Sequence, residues 1–349
     1  MDFMVIKIII RIVLDILSTS FITKYDNLPS IIFRFMMWCK RLNRHVTMEH
    51  IDREGYRFSY FSRGKPGPQP SILMLHGFSV NKDVWLDTLK HLPEDLHVVC
   101  VDMPGHGNTT RFLQESYTAA SQAKRIHQFV EWTGLNKNPF HLVGMSMGGM
   151  VAGLYAADYP SEICALSLLC PAGLRYPTES EFFVRLKELM FSKDPSDSTL
   201  VSVNEKEGEK LLQLCLYDPS FVKTQLLKGH LDDQRPYKMF FVNCFLDVSS
   251  AQSRYSLHEN MRRIQTPTQI IWGRHDKVFD SSGADILATA IPNSQVHLLE
   301  KCGHFLALER PRKAAQLLLK FHNSFCDNTG NEPDEELNAS YVKSEKHQE

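Results

Sequence analysis

Short, continuous apolar runs alternate with stretches of helical periodicity from about residue 46 to residue 325. A run without polar interruption suits a strand buried on both faces, and helices between such strands make the connections parallel. Ser71–Leu75, Leu96–Met103, the run ending at Met145, Ile163–Cys170, Thr268–Trp272 and Gln295–Leu299 are predicted strands on this basis. Tyr56–Phe61 alternates instead, which predicts an edge strand. Helices are predicted near Tyr117–Thr133, directly after Ser146, at Ser281–Ala290 and at Arg312–Phe321. The pattern is that of an α/β fold with a mostly parallel central sheet and helices on both faces.

The rhythm breaks once. Between the strand ending at Cys170 and the one starting at Thr268, Phe182–Met190 and Leu211–Phe245 have helix-like apolar spacing, with a polar stretch between them. An insertion of this kind, about residues 173–250, reads as a helical lid over a site. Phe182, Phe183, Leu186 and Leu189 are candidate lid contacts for a ligand. Residues 326–349 are polar and mostly acidic, the composition of a disordered tail.

Residues 1–45 form a separate unit. Met1–Thr23 is apolar except for Lys7, Arg11 and Asp15, which recur every four residues and so form one polar stripe on a helix. A tilted spanning anchor and a helix lying in the bilayer interface both fit this pattern, as does an apolar helix that caps the soluble domain. Leu28–Cys39 adds aromatic residues and leads into Lys40, Arg41, Arg44 and His45, a juxtamembrane pattern suited to anionic lipid on the cytosolic side. Cys39 beside this cluster is a weak candidate for acylation.

Composition narrows the class. A chain of 349 residues that is 43% hydrophobic can bury one large core, and its net charge of -1 offers no global field for nucleic acid. The eight cysteines include no C-x-x-C pair and several lie in apolar runs, as expected for reduced, buried thiols rather than disulfides or a zinc site. The sequons at Asn108 and Asn338 are read as chance.

Candidate chemistry centres on Gly144-Met145-Ser146-Met147-Gly148, a G-x-S-x-G pattern where a strand predicts a sharp turn into a helix. Such a turn exposes a serine hydroxyl, which becomes a nucleophile when a base takes its proton and an acid orients that base. Asp276 and His304 follow the last two predicted strands, at the sheet edge where Ser146 emerges, in the order Ser, Asp, His. Ser146, Asp276 and His304 are therefore the candidate nucleophile, acid and base. The backbone N–H groups of Phe78 and Met147 are the candidate oxyanion donors.

Other residues compete for these roles. Asp280 is an alternative acid, further from its strand end. Asp102 is expected to brace a loop, His76 and His106 to hold loop architecture, and His141 to be a satisfied core histidine. His97 and Asp102 form an H-x4-D spacing read as chance.

The stretches LMLHGFSVNKDVW, VCVDMPGHG, FHLVGMSMGGMVAG, RYSLHENM, PTQIIWGRHDKVFD and LLEKCGHFLALERPRKAA resemble the membrane-anchored monoacylglycerol lipases of the α/β-hydrolase domain-containing family, over about residues 46–325. The resemblance implies the α/β-hydrolase fold, the same triad and the same oxyanion pair, with no cofactor and no metal. It also implies monoacylglycerol substrates, including 2-arachidonoylglycerol, and some lysophospholipids. The implied location is an endomembrane such as the late endosome, lysosome or endoplasmic reticulum, with the site facing the cytosol. Residues 1–45 and the middle of the lid depart from the family pattern. Rival readings are a hydrolase of another ester or of a carbon-carbon bond, a cofactor-free peroxidase, and a binding or assembly partner of membrane receptors.

Overall fold

The computed structural model describes residues 28–177, 180, 182, 184, 205–222 and 224–326. The expectations for Met1–Thr23, Phe183, Leu186, Leu189 and the tail 327–349 lie outside the described residues.

Among the described residues the strands form one eight-stranded sheet, in the order β1-β2-β4-β3-β5-β6-β7-β8. They are Thr47–Arg53 (β1), Tyr56–Arg63 (β2), Ile72–Leu75 (β3), Val98–Val101 (β4), Phe140–Met145 (β5), Ile163–Leu169 (β6), Thr268–Gly273 (β7) and Gln295–Leu299 (β8). From β4 through β8 all neighbours are parallel, while β1 with β2 and β2 with β4 are antiparallel. Every residue of β3, β4, β5 and β7 is buried, which is why these segments read as unbroken apolar runs.

The edge differs from the expectation. Tyr56–Phe61 belongs to β2, one strand in from the edge, and the edge itself is β1. Its sequence TMEHIDR is mostly exposed and held by cross-strand polar pairs, with Arg57 on Asp52 at 2.7 Å and the Tyr60 hydroxyl on Glu49 at 3.1 Å. A charged, exposed edge strand has no apolar period to announce it.

The longer helices are Leu28–Asn43 (α1), Ala119–Thr133 (α2), Met147–Asp158 (α3), Glu205–Cys215 (α4), Thr224–Gln234 (α5), Lys238–Val248 (α6), Gly283–Ala290 (α7) and Pro311–Cys326 (α8). Helices α4 to α6 lie in the excursion between β6 and β7, and the terminal helix runs five residues past its predicted end at Phe321.

Helix α1 corrects the reading of the basic cluster. Lys40 pairs with Asp87 at 2.7 Å, Arg41 pairs with Asp83, and Arg44 donates to the Leu86 carbonyl at 3.1 Å. Its other contact is with α5, where Arg34 reaches Asp233 at 2.8 Å and Gly229 admits a close approach. A Cβ on Gly229 would sit 2.4 Å from the Pro29 carbonyl oxygen and 2.6 Å from Phe33 Cβ. Cys39, considered above for acylation, is buried against the domain. Ile31, Trp38 and Leu42 share the outward face and are exposed. No described helix is long and apolar enough to cross a membrane.

Candidate active site

Ser146 sits between β5 and α3 with φ 55° and ψ -120°. A non-glycine residue held there costs on the order of 1–3 kcal/mol, and persists only when its surroundings fix it. They do so on three sides. The Ser146 N–H donates to the Leu169 carbonyl at 2.9 Å, and its own carbonyl accepts from Ala172 at 2.9 Å and Met150 at 3.0 Å. The flanking glycines are where main chains meet: a Cβ on Gly144 would lie 2.3 Å from the Gly148 oxygen, and one on Gly148 would lie 2.5 Å from the His76 oxygen.

The three candidate side chains converge. His304 Nε2 lies 2.9 Å from Ser146 Oγ, and His304 Nδ1 lies 2.7 Å from Asp276 Oδ2. The remaining Asp276 oxygen accepts the Val278 and Phe279 N–H groups at 2.8 and 2.9 Å. A carboxylate held in this way accepts a hydrogen bond from the Nδ1–H of His304, which leaves Nε2 as an acceptor for the serine hydroxyl. Asp280 is turned away, with its carboxylate capping the Ser282 N–H at 2.9 Å.

A cavity of about 540 Å³ opens over Ser146, lined by Gly77, Phe78, Met147 and His304 from the sheet edge, and by Phe241 and Phe245 of α6 above them. Phe182, the described member of the predicted lid contacts, lines it too, and so do Phe33 and Met37 of α1. The Gly77 main chain approaches Ser146 closely enough that a Cβ there would be 3.2 Å from Ser146 Cβ. This places the segment carrying the Phe78 N–H beside the hydroxyl. The Met147 N–H belongs to the first turn of α3, where amides lack intrahelical acceptors.

The remaining histidines brace the site's floor. His76 Nε2 accepts the Met103 N–H at 2.9 Å, so Nδ1 carries the proton and donates to the Gly77 carbonyl at 2.7 Å. Burial pushes this imidazole down to about 4. His106 bonds the Pro104 carbonyl at 2.9 Å and is pushed down to about 3, again chiefly by burial. Asp102 braces loops, accepting from Lys82 N and Asn108 N, each at 2.9 Å, and pairing with Lys82 Nζ at 2.6 Å. Burial alone would raise its carboxyl, but Lys82 and His76 outweigh that and hold it below the usual value. His97 bonds Ser71 at 2.6 Å and shares no contact with Asp102. His141 is a core residue, but only half satisfied. Its Nε2 bonds Ser167 at 2.9 Å, and its Nδ1 has no hydrogen-bond partner.

Cysteine Cys170 lies close to the acid, and its ligand atom, with those of Asp276 and His304, falls within a 4.8 Å cluster. Asp276 and His304 are engaged with each other, and burial pushes the Cys170 thiol well up, so it stays protonated and is a poor metal ligand.

Residues 70–311 match the protein family described as the alpha/beta hydrolase fold. The chain belongs to that family. Among α/β-hydrolase relatives, monoacylglycerol lipase ABHD6 of Bos taurus is 52% identical over 302 residues, 86% of this chain and 90% of that protein. Monoacylglycerol lipase abhd6-B of Xenopus laevis is 48% identical over 305 residues, 87% of this chain and 90% of that one. The crystal structure of a bacterial membrane phospholipase A superposes with a TM-score of 0.77 at 26% identity, covering 91% of this chain and 98% of that chain.

One part of this α/β-hydrolase site was missed in the sequence. Glu309 is buried in the short helix Leu306–Glu309, and its carboxylate accepts the Gly303 N–H at 2.7 Å and the Tyr217 N–H at 2.8 Å. The Phe305 N–H donates to the Cys215 carbonyl at 3.0 Å. The loop carrying His304 is thus tied on both sides to the end of α4. The only signal was an acid inside the apolar stretch FLALE.

Proposed function

We propose that this α/β-hydrolase is a serine hydrolase that cleaves monoacylglycerols to fatty acid and glycerol. The observation that carries the reading is the 2.9 Å contact of His304 Nε2 with Ser146 Oγ at the floor of an apolar cavity. The substrate class is supported by relatives of about half identity that are named monoacylglycerol lipases.

In this mechanism His304 takes the Ser146 proton as the oxygen attacks the ester carbonyl, and Asp276 stabilises the imidazolium. The Phe78 and Met147 N–H groups receive the tetrahedral oxyanion, each worth on the order of 2.7–4 kcal/mol of barrier. His304 then protonates the departing glycerol oxygen, and water repeats the cycle on the acyl-serine. Every proton and charge in this sequence is handled by side chains and amides of the chain. The acyl chain lies along Phe33, Met37 and the α5 and α6 faces. Lysophospholipids are a second substrate class, supported by the membrane phospholipase A of similar structure.

The enzyme is membrane-bound, with its site toward the cytosol. The apolar segment Met1–Thr23 and the outward Ile31, Trp38 and Leu42 of α1 support this. Purified protein incubated with monoolein is expected to release glycerol, and Ser146→Ala to release none. Equal release by both proteins overturns the reading. Carbonate extraction tests the location: full-length protein in the soluble fraction excludes an integral anchor.

A further inference from the structure

The loop that carries the Phe78 N–H has little of its own to hold it. Phe78, Ser79 and Val80 make no hydrogen bond to another main-chain group among the described residues, and Ser79 sits at φ 56°. A serine is strained in that region and stays there only where its neighbours fix it. The Phe78 ring packs on Phe241 and Phe245 at 5.9 and 5.1 Å, which holds the side chain but gives the backbone no bond. The flanks of the loop and whatever lies on its middle must therefore set where the Phe78 N–H points.

One flank is tied within the domain, where His76 Nδ1 donates to the Gly77 carbonyl at 2.7 Å. The other is gripped from α1. Asn81 caps the short helix Lys82–Trp85 by accepting the Asp83 N–H at 2.9 Å. Arg41 holds the Asp83 carboxylate with two donors, Nε on one oxygen at 2.9 Å and a terminal nitrogen on the other. The Asp83 side chain is only 5% exposed, so this two-pronged, charge-assisted contact is largely sheltered from water. Lys40 on Asp87 at 2.7 Å and Arg44 on the Leu86 carbonyl at 3.1 Å extend the grip along the same segment.

The middle of the loop is met through α5. Ser30 and Arg34 of α1 both donate to Asp233 of α5, and the Phe33 ring stands edge-on to His230 with ring centres 5.7 Å apart. His230 lines the cavity beside Ser79, and its imidazole reaches the Ser79 main chain. Helix α1 thus acts on the loop twice, directly at its downstream end and through α5 at its strained residue.

We propose that α1 and α5 form a clamp that aims the Phe78 N–H at the developing oxyanion, with Arg41 and His230 as its positioning residues. Arg41 does not line the cavity, so it acts through Asp83 alone. A donor that is preorganised contributes fully in the transition state, and one that is free to turn does not. The role of that N–H rests on the serine-hydrolase reading above, but the position of the loop is measured without it.

Amide hydrogen exchange on the full-length protein makes that measurement. Arg41→Gln is expected to speed exchange of the amides of residues 78–81 at least about tenfold, and His230→Leu about threefold, with the amides of β5 and β7 within about twofold. Arg41→Lys keeps the charge but loses the fork and should fall between. Unchanged exchange at residues 78–81 overturns the proposal. Faster exchange throughout the sheet also overturns it, by making Arg41 a support of the whole domain.

A second measurement reads the oxyanion site itself. With decyl trifluoromethyl ketone, Ser146 Oγ adds to the carbonyl carbon, His304 takes the serine proton, and the ketone oxygen becomes the oxyanion; 1-O-decylglycerol forms no such adduct. Arg41→Gln is expected to weaken the ketone about tenfold while leaving 1-O-decylglycerol within about twofold, and to lower kcat for monoolein about tenfold with KM little changed. An equal loss for both ligands assigns Arg41 to the shape of the cavity and overturns the clamp. Absence of the adduct by fluorine NMR in the unsubstituted protein overturns the serine-hydrolase reading instead, and the exchange result then decides whether α1 holds the loop.

Discussion

The Glu309 carboxylate accepts the N–H of Gly303, the residue before His304, at 2.7 Å, and the same carboxylate holds the Tyr217 N–H at the end of α4. The base of the site is therefore positioned by an acid that never meets substrate. Glu309→Gln keeps the shape but presents one oxygen where two are used. It is expected to lower kcat by about 10- to 100-fold with KM little changed, and to cost about 1–3 kcal/mol of stability. Steady-state kinetics and urea unfolding check both. Unchanged kcat would show that α4 and the His304 loop are fixed independently.

Stability should fall as the medium turns acidic. His76 and His106 are held neutral to about 4 and about 3 in the folded chain, against 6.5 in the ordinary imidazole. Below pH 6.5 the unfolded chain takes up protons that the folded chain does not, so stability is lost as pH drops from 6.5 toward 4. Each histidine contributes a slope of up to about 1.4 kcal/mol per pH unit. Unfolding midpoints measured across that window are expected to drop steeply, and His106→Asn to flatten the slope by no more than about a quarter, because burial also pushes down His141 and His230. A flat profile in the unsubstituted protein would contradict the burial of both rings.

The Lys82–Asp102 pair is enclosed on all sides, with both side chains almost fully buried. Lys82→Met strands a carboxylate in the interior, at an expected cost of about 3–5 kcal/mol. Adding Asp102→Asn should recover more than half of that loss. A double variant no more stable than Lys82→Met alone would mean that the carboxylate's backbone bonds, not its charge, dominate.

Met37 supplies part of the wall where the acyl chain is placed. Met37→Trp fills that volume, so kcat/KM for long-chain monoacylglycerols is expected to fall about tenfold while short-chain esters change less than about threefold. An unchanged chain-length profile would move the acyl chain away from α1.

The parts of this fold that were legible in the sequence share one property: a local pattern stood for a local structure. The G-x-S-x-G stretch announced the turn at Ser146 because the glycines are needed within two residues of it. Asp276 and His304 could be placed because each follows a buried strand, and the sheet aligns strand ends. Strand β1 was hidden because its stabilisation lies in pairs with β2 rather than in its own period. Lys40 and Arg41 looked free because Asp87 and Asp83 lie more than forty residues away. Glu309 was missed for the same reason, since its work is done on amides from two other segments.

The inner face of α1 has a practical consequence. A fragment cut after Asn43 to ease purification would lose Phe33 and Met37 together with residues 1–27, leaving Asp83 and Asp87 unanswered and the substrate chamber unroofed on one side. Rates and inhibitor rankings collected on such a fragment would describe a differently shaped receptacle from the one the intact polypeptide offers.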